Sequence, residues 1–340
     1  MRHSLALPFL SLLVAVSVPC AAAPASSRSP QIYAGGVAGV AALAAAAASA
    51  QFRAGGGGLY LHNNGWAALT PAQQRETLRH FAGAPVALEL GFGLGDHAHA
   101  WGKRYREGYL ALGIKPAFIA ANAFDKNNQP TAEMWRDYMT ALRAAGVPET
   151  TLILPTFEYQ NFRPNIPTLA AHTVTLSPVF QAIIRTAGGI VLDTPSGYTF
   201  GREAAYRDWV VDALRWTRAQ GLKSVVIASP HRSKLQFAAD TDRYLAFLRA
   251  QDASPDIVVV ENYEPKPDPD YPNLVGPESD PATALGVGLS LLRRDRLLWL
   301  DRDTWKIGIE PKRSDALTAL LPAPLPEHFV LQAGTNDSRP

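Results

Sequence analysis

Seven polar residues stand at or just beyond the ends of short apolar runs: His62, Glu89, Asn122, Glu158, Asp193, His231 and Glu261. Two carboxylates that share a cleft can divide the roles of acid and base, and an imidazole can give or take a proton near neutral pH. Packing gives an apolar strand no use for a charge at its end, so a recurrent polar ending is read as chemistry. Glu158 and Glu261 follow apolar runs and have aromatic neighbours in Phe157, Tyr159 and Tyr263. With Asp193 they make the expected catalytic set. Plainer roles stand beside these: His62 could cap the turn Asn63-Asn64-Gly65, Glu89 could be paired in an interior, and Asp193 could accept in a turn before Thr194-Pro195. His97 and His99 have the side-chain type of metal ligands, but their spacing assures no third ligand, and they read as a solvated helix start.

The elements that carry these residues are eight runs rich in Val, Ile and Leu: Gln31 to Ala34, Gly58 to His62, Pro85 to Gly91, Pro116 to Asn122, Thr151 to Glu158, Gly189 to Asp193, Ser224 to Ser229 and Asp256 to Glu261. Each gap is long enough for a helical crossover between parallel strands. Pro71 to Phe81, Glu133 to Ala145, Arg202 to Gln220 and Lys234 to Gln251 have helical period, with Thr70-Pro71 as a start signal and Gly221 as a stop. The pattern predicts an α/β chain folded as one closed (β/α)8 TIM barrel. No G-x-G-x-x-G opens a helix after a strand, which removes the support for a dinucleotide-binding open sheet. If Gln31 to Ala34 were only a leader, the eighth strand would come from Trp305 to Glu310 or Phe329 to Gln332; regular spacing favours the first register.

Strand alternation then sorts the side chains. Leu152, Leu154, Thr156 and Glu158 share one face against Ile153 and Phe157. Ile257, Val259 and Glu261 oppose Val258 and Val260, and the same rule pairs Val191 with Asp193, Ala87 with Glu89 and Tyr60 with His62.

The chain has 340 residues, 47% of them apolar and 18% charged, with a formal charge of +2 from 32 basic and 30 acidic side chains. That balance lacks the basic footprint of a nucleic-acid binder. Met1-Arg2-His3, the apolar stretch Leu5 to Val18 and Ala23-Pro24-Ala25 read as a secretory signal cut after Ala25. Residues 1–25 are the expected signal peptide and 26–340 a single barrel domain with a Pro-rich loop over 264–281 and a C-terminal extension. Cys20 is the one cysteine and lies in the signal, so thiol chemistry and Cys-ligated zinc are not expected of a secreted or periplasmic mature chain. The uncharged stretch 29–52, with Ala44 to Ala48, is too poor in large apolar side chains for stable membrane insertion and reads as an Ala-rich helix on the sheet.

Glu158 and Glu261 sit three strands apart. In this the chain resembles the superfamily of (β/α)8 glycoside hydrolases, whose retaining members place an acid/base Glu and a nucleophile Glu on strands so separated. Phe157 stands where many of them have Asn before the acid/base Glu, and the D-x-x-D-x-D-x-E run of chitinase-like barrels is absent. The resemblance implies cleavage of a polysaccharide or oligosaccharide by two carboxylates, with Glu158 as acid/base, Glu261 as nucleophile and neither cofactor nor metal. A carbohydrate would then be met by His62, Trp66, Glu89, Asn122, Tyr159, Tyr198, His231 and Tyr263, the aromatic rings among them stacking on sugar faces. Trp101 also falls just past a strand end, and Glu264 to Pro281 could form a lid. Two alternatives stand beside this reading. One is a barrel phosphodiesterase with His62 and His231 as acid and base, Arg232 and Lys234 on phosphate and a divalent ion on Glu89 and Asp193. The other is a noncatalytic carbohydrate-binding barrel.

Overall fold

A computed structural model describes residues 30–36, 50–93, 95–124, 131–158, 178–193, 204–229, 237–262, 280 and 282–304. Eight strands, β1 (Gln31–Gly36), β2 (Gly58–Leu61), β3 (Val86–Gly91), β4 (Phe118–Phe124), β5 (Leu152–Glu158), β6 (Gly189–Asp193), β7 (Lys223–Ala228) and β8 (Ile257–Asn262), form a closed parallel barrel in sequence order. Closure is made by β1 against β8, from Gln31 opposite Ile257 to Gly36 opposite Asn262. Every expected run is therefore a strand, and Gln31 begins the first of them.

Helices fill the crossovers. Pro71–His80 starts where Thr70 caps it: the Thr70 hydroxyl accepts from the Gln73 backbone N–H, while the Gln73 side chain accepts from the Thr70 backbone N–H. Pro71, with no N–H to lose, occupies the first turn. The helices at Ala132–Ala144, Ala204–Ala219 and Phe237–Ala250 match the other three periodic segments. Gly221 takes a φ of 67°, open to a residue without a Cβ, and turns the chain from the helix Ala204–Ala219 into β7. Asp96–Gly108, Pro178–Ala187 and Ala284–Thr304 are helices the periodicity did not single out; the last packs on β1 and β8, across the closing seam, in what reads from sequence as a C-terminal extension. Among the described residues, no helix is long and apolar enough to cross a membrane. The signal segment, Ala44 to Ala48, most of the Pro-rich loop and the C-terminal stretches from Trp305 lie outside the described residues.

Alternation along each strand builds two cores. Outward positions such as Leu88, Ile153, Phe157, Leu192, Val258 and Val260 join Trp135, Tyr138 and Tyr244 of the helices. Inward positions, among them Tyr33, Tyr60, Phe118, Leu154, Val191 and Val259, fill the barrel. Tyr33 meets Phe118 edge to face at 5.3 Å. Leu152 and Leu154 face inward against Ile153 and Phe157, and Ile257 and Val259 against Val258 and Val260, as the alternation predicts; the Glu158 side chain lies outside the described residues. The barrel is thus filled from below, and what its interior can do is decided at the upper, C-terminal ends of the strands.

Candidate active site at the C-terminal mouth

One inward position above the apolar filling, the strands change character. Beyond Tyr60 comes His62, beyond Ala87 Glu89, beyond Ala120 Asn122, beyond Val191 Asp193 and beyond Val259 Glu261. Glu89 and Glu261 are only 7% and 4% exposed. Carboxylates so deeply buried must be compensated by donors or charge. For Glu89 the compensation is complete: Oε1 lies 3.0 Å from His62 Nε2 and accepts from Asn122 Nδ2 at 3.2 Å, while Oε2 accepts from the Tyr60 hydroxyl at 3.0 Å.

Asn122 reaches Glu89 because β3 and β4 stay in register through Gly91 opposite Asn122, which keeps Asn122 on the inward side beyond Ala120. The β4–β5 register shifts after Ala121, which stands opposite Pro155, a residue with no N–H for the ladder. Asn122 is exposed on the mouth while its amide holds Glu89.

Glu261 approaches from the other side. Its register partner on β1 is Gly35, and the β2 partner of Gly35 is Tyr60. A Cβ on Gly35 would stand 2.6 Å from the Tyr60 carbonyl oxygen, so only glycine fits between β8 and β2. Across this gap the ligand atoms of His62, Glu89 and Glu261 come within 4.8 Å of one another.

Electrostatics follow from that crowding. Burial opposes the His62 cation, but the Glu89 carboxylate with its hydrogen bond, then Glu261 and Asp193, outweigh it and push the imidazole up to about 9. At neutral pH the group is an imidazolium between carboxylates. The Tyr60 phenol is driven well above its ordinary value by burial and by Glu89, Glu261 and Asp193, so it remains a donor. Among the described residues, His62, Glu89 and Glu261 are the one group of three whose spacing would suit a divalent cation, which would first have to displace the His62 proton.

Of the residues expected to act, His62, Glu89, Asn122 and Glu261 are brought together, with Asp193 ending β6 in electrostatic reach of His62. Glu158 ends β5 opposite Asp193 in register; its side chain, like Tyr159, Tyr198, His231 and Tyr263, lies outside the described residues. Trp66 is not brought to the mouth. It is 3% exposed in the outer core, donates from Nε1 to the Gly108 carbonyl at 3.1 Å and stacks on Tyr109. Trp101 lies nearer: a ring carbon stands 2.0 Å from where a Cβ of Gly91 would be, and Gly91 pairs with Asn122. His97 and His99 are exposed at the start of the helix Asp96–Gly108. Tyr60 and Gly35 were missed as site residues. Their signals were present, an inward Tyr one step below His62 and a Gly-Gly pair ending β1, but neither has meaning until β2 and β8 flank β1. No family model matches the chain, and no curated protein is significantly similar to it.

Proposed function

We propose that the protein is a glycoside hydrolase that cleaves a polysaccharide or oligosaccharide outside the cytoplasm, with Glu261 as nucleophile and Glu158 as general acid/base. The observation that carries this reading is the Glu261 carboxylate, 4% exposed at the C-terminal end of a barrel strand and within 4.8 Å of the His62 imidazole. An adjacent cation favours the ionised form of a carboxylate, which is the form a nucleophile needs at the start of a retaining reaction. In the first step Glu158 gives its proton to the glycosidic oxygen while Glu261 forms an ester to the anomeric carbon and the aglycone leaves. In the second, Glu158 takes a proton from water, the hydroxide adds at the anomeric carbon and the ester breaks. Asp193, the register partner of Glu158, supplies a third carboxylate at the rim. Asn122, exposed on the mouth, presents an amide to a sugar hydroxyl.

The test is product analysis with the purified protein on a panel of polysaccharides, oligosaccharides and aryl glycosides. New reducing ends are expected, and Glu261→Gln should lower turnover by about 10³-fold or more while the circular dichroism spectrum is unchanged. Glu158→Gln should harm natural glycans far more than activated aryl glycosides, since only the former need a proton donor. An absence of sugar products from the whole panel, or near-normal turnover by Glu261→Gln, overturns the reading. Phosphodiester cleavage lost with a chelator and restored by a divalent ion would establish the phosphodiesterase in its place.

A further inference from the structure

We propose that His62 is a positioning residue for Glu261: an imidazole clamped by Glu89 that fixes where the Glu261 carboxylate points. The inference rests on the glycoside-hydrolase reading of Glu261 and assigns His62 and Glu89 a task other than touching sugar.

The clamp is built from several elements. His62 immediately follows β2, and its carbonyl accepts from the Trp66 backbone N–H at 2.9 Å, which ties its backbone to the short helix Asn63–Ala67. Trp66 is anchored in the outer core. The ring of His62 is held at the other end by Glu89 at 3.0 Å. Glu89 cannot turn without breaking its contacts to His62, Tyr60 and Asn122 together, and those donors come from both neighbouring sides of β3. The ring therefore has one orientation.

Occupied partners separate positioning from direct contact. Glu89 Oε1 is taken by His62 and Asn122, its Oε2 by the Tyr60 hydroxyl, and His62 Nε2 by Glu89. Their neighbour in the other direction is Glu261, brought within 4.8 Å over the bare backbone of Gly35. The charged and titratable groups facing the imidazole are Glu89 on β3, Glu261 on β8, Asp193 on β6 and Tyr60 on β2. Remove the ring, and two buried carboxylates a few ångströms apart repel with no cation between them. Glu261 would then turn away or take up a proton, and either change weakens an in-line attack on an anomeric carbon.

The experiment uses the full chain and a panel of aryl 2-deoxy-2-fluoro-glycosides, which form a long-lived ester with a carboxylate nucleophile. Mass spectrometry of the wild type should find the label on Glu261; no labelling by any member of the panel overturns the nucleophile reading itself. With the wild type labelled, His62→Gln should be labelled about 10- to 100-fold more slowly, with kcat on the matching aryl glycoside falling in parallel and KM unchanged within a few-fold. Glu89→Gln, which keeps shape but releases the clamp, should lose kcat in the same way. His62→Gly should recover activity when imidazole is added, a response that a loss of folding would not give. Labelling of His62→Gln at the wild-type rate, or a loss confined to KM, overturns the positioning role and leaves the nucleophile assignment standing.

Discussion

Val259 and Glu261 lie two positions apart on β8, as Ala87 and Glu89 do on β3, yet the layers they belong to behave as different materials. Burial is nearly the same: Val259 and Ala87 are fully enclosed, and Glu261 and Glu89 are 4% and 7% exposed. The lower layer gains by removing apolar surface from water and by close contact, both tolerant of direction. The upper layer loses the hydration of its charges and recovers it only through specific partners at about 3 Å, such as Tyr60, His62 and Asn122 around Glu89. A barrel can be closed by the first kind of layer alone. The second layer, at the C-terminal mouth, is what makes that end the candidate site.

The contrast can be broken by mutation. Leu154→Ala, in the apolar layer, should cost about 2–5 kcal/mol in denaturant unfolding, because the enclosed barrel interior cannot collapse around the lost atoms. A smaller loss would mean that the lower layer is loosely packed.

In the polar layer the expected pattern is different in kind. Glu89→Met should cost about 3 kcal/mol, since it leaves the His62 cation buried beside lone donors. His62→Leu combined with Glu89→Met should restore stability to near the wild-type level while activity stays lost. If the double variant is no more stable than the single one, the pair is part of what holds the barrel together.

Titration gives a comparable effect by another route. The folded state raises His62 from 6.5 to about 9, so folding binds its proton more tightly than the unfolded chain does. The stabilisation is complete below pH 6.5 and is lost as pH rises through 9, amounting to about 3 kcal/mol. Urea unfolding of the wild type over this range should show the decline, and His62→Gln should lack it. A stability rising with pH through this range in the wild type, against a flat profile in the variant, would contradict the burial of an imidazolium between carboxylates.

The smallest expected effect lies at the join. Gly35→Ala would place a Cβ 2.6 Å from the Tyr60 carbonyl, and backbone there must move. A loss of about 1–3 kcal/mol in stability is expected, with a larger proportional loss of turnover as Glu261 is displaced from His62. Equal retention of both would show that the bare strand is not what brings β8 and β2 together.

What the amino-acid sequence determined by itself is local and periodic. Apolar runs spaced for crossovers specify parallel strands, Thr70-Pro71 and Gly221 punctuate helices, and alternation assigns Val259 and Glu261 to one face and Val258 and Val260 to the other. These follow from the geometry of a few consecutive residues, and so His62, Glu89, Asn122 and Glu261 could be named as inward ends of strands before any of them had a partner. Which of them meet was decided only by the tertiary structure. The contact of Tyr60 with Glu89 depends on the stagger of β2 against β3, the reach of Asn122 on the register of β3 against β4, and the approach of Glu261 on closure through β1 at a residue with no side chain. Trp66 shows the converse, because its position just past a strand end is compatible with either the mouth or the outer core, and packing against Tyr109 chose the core. Pairing between strands far apart in the chain is a property of the closed barrel as a whole, and no local pattern carries it.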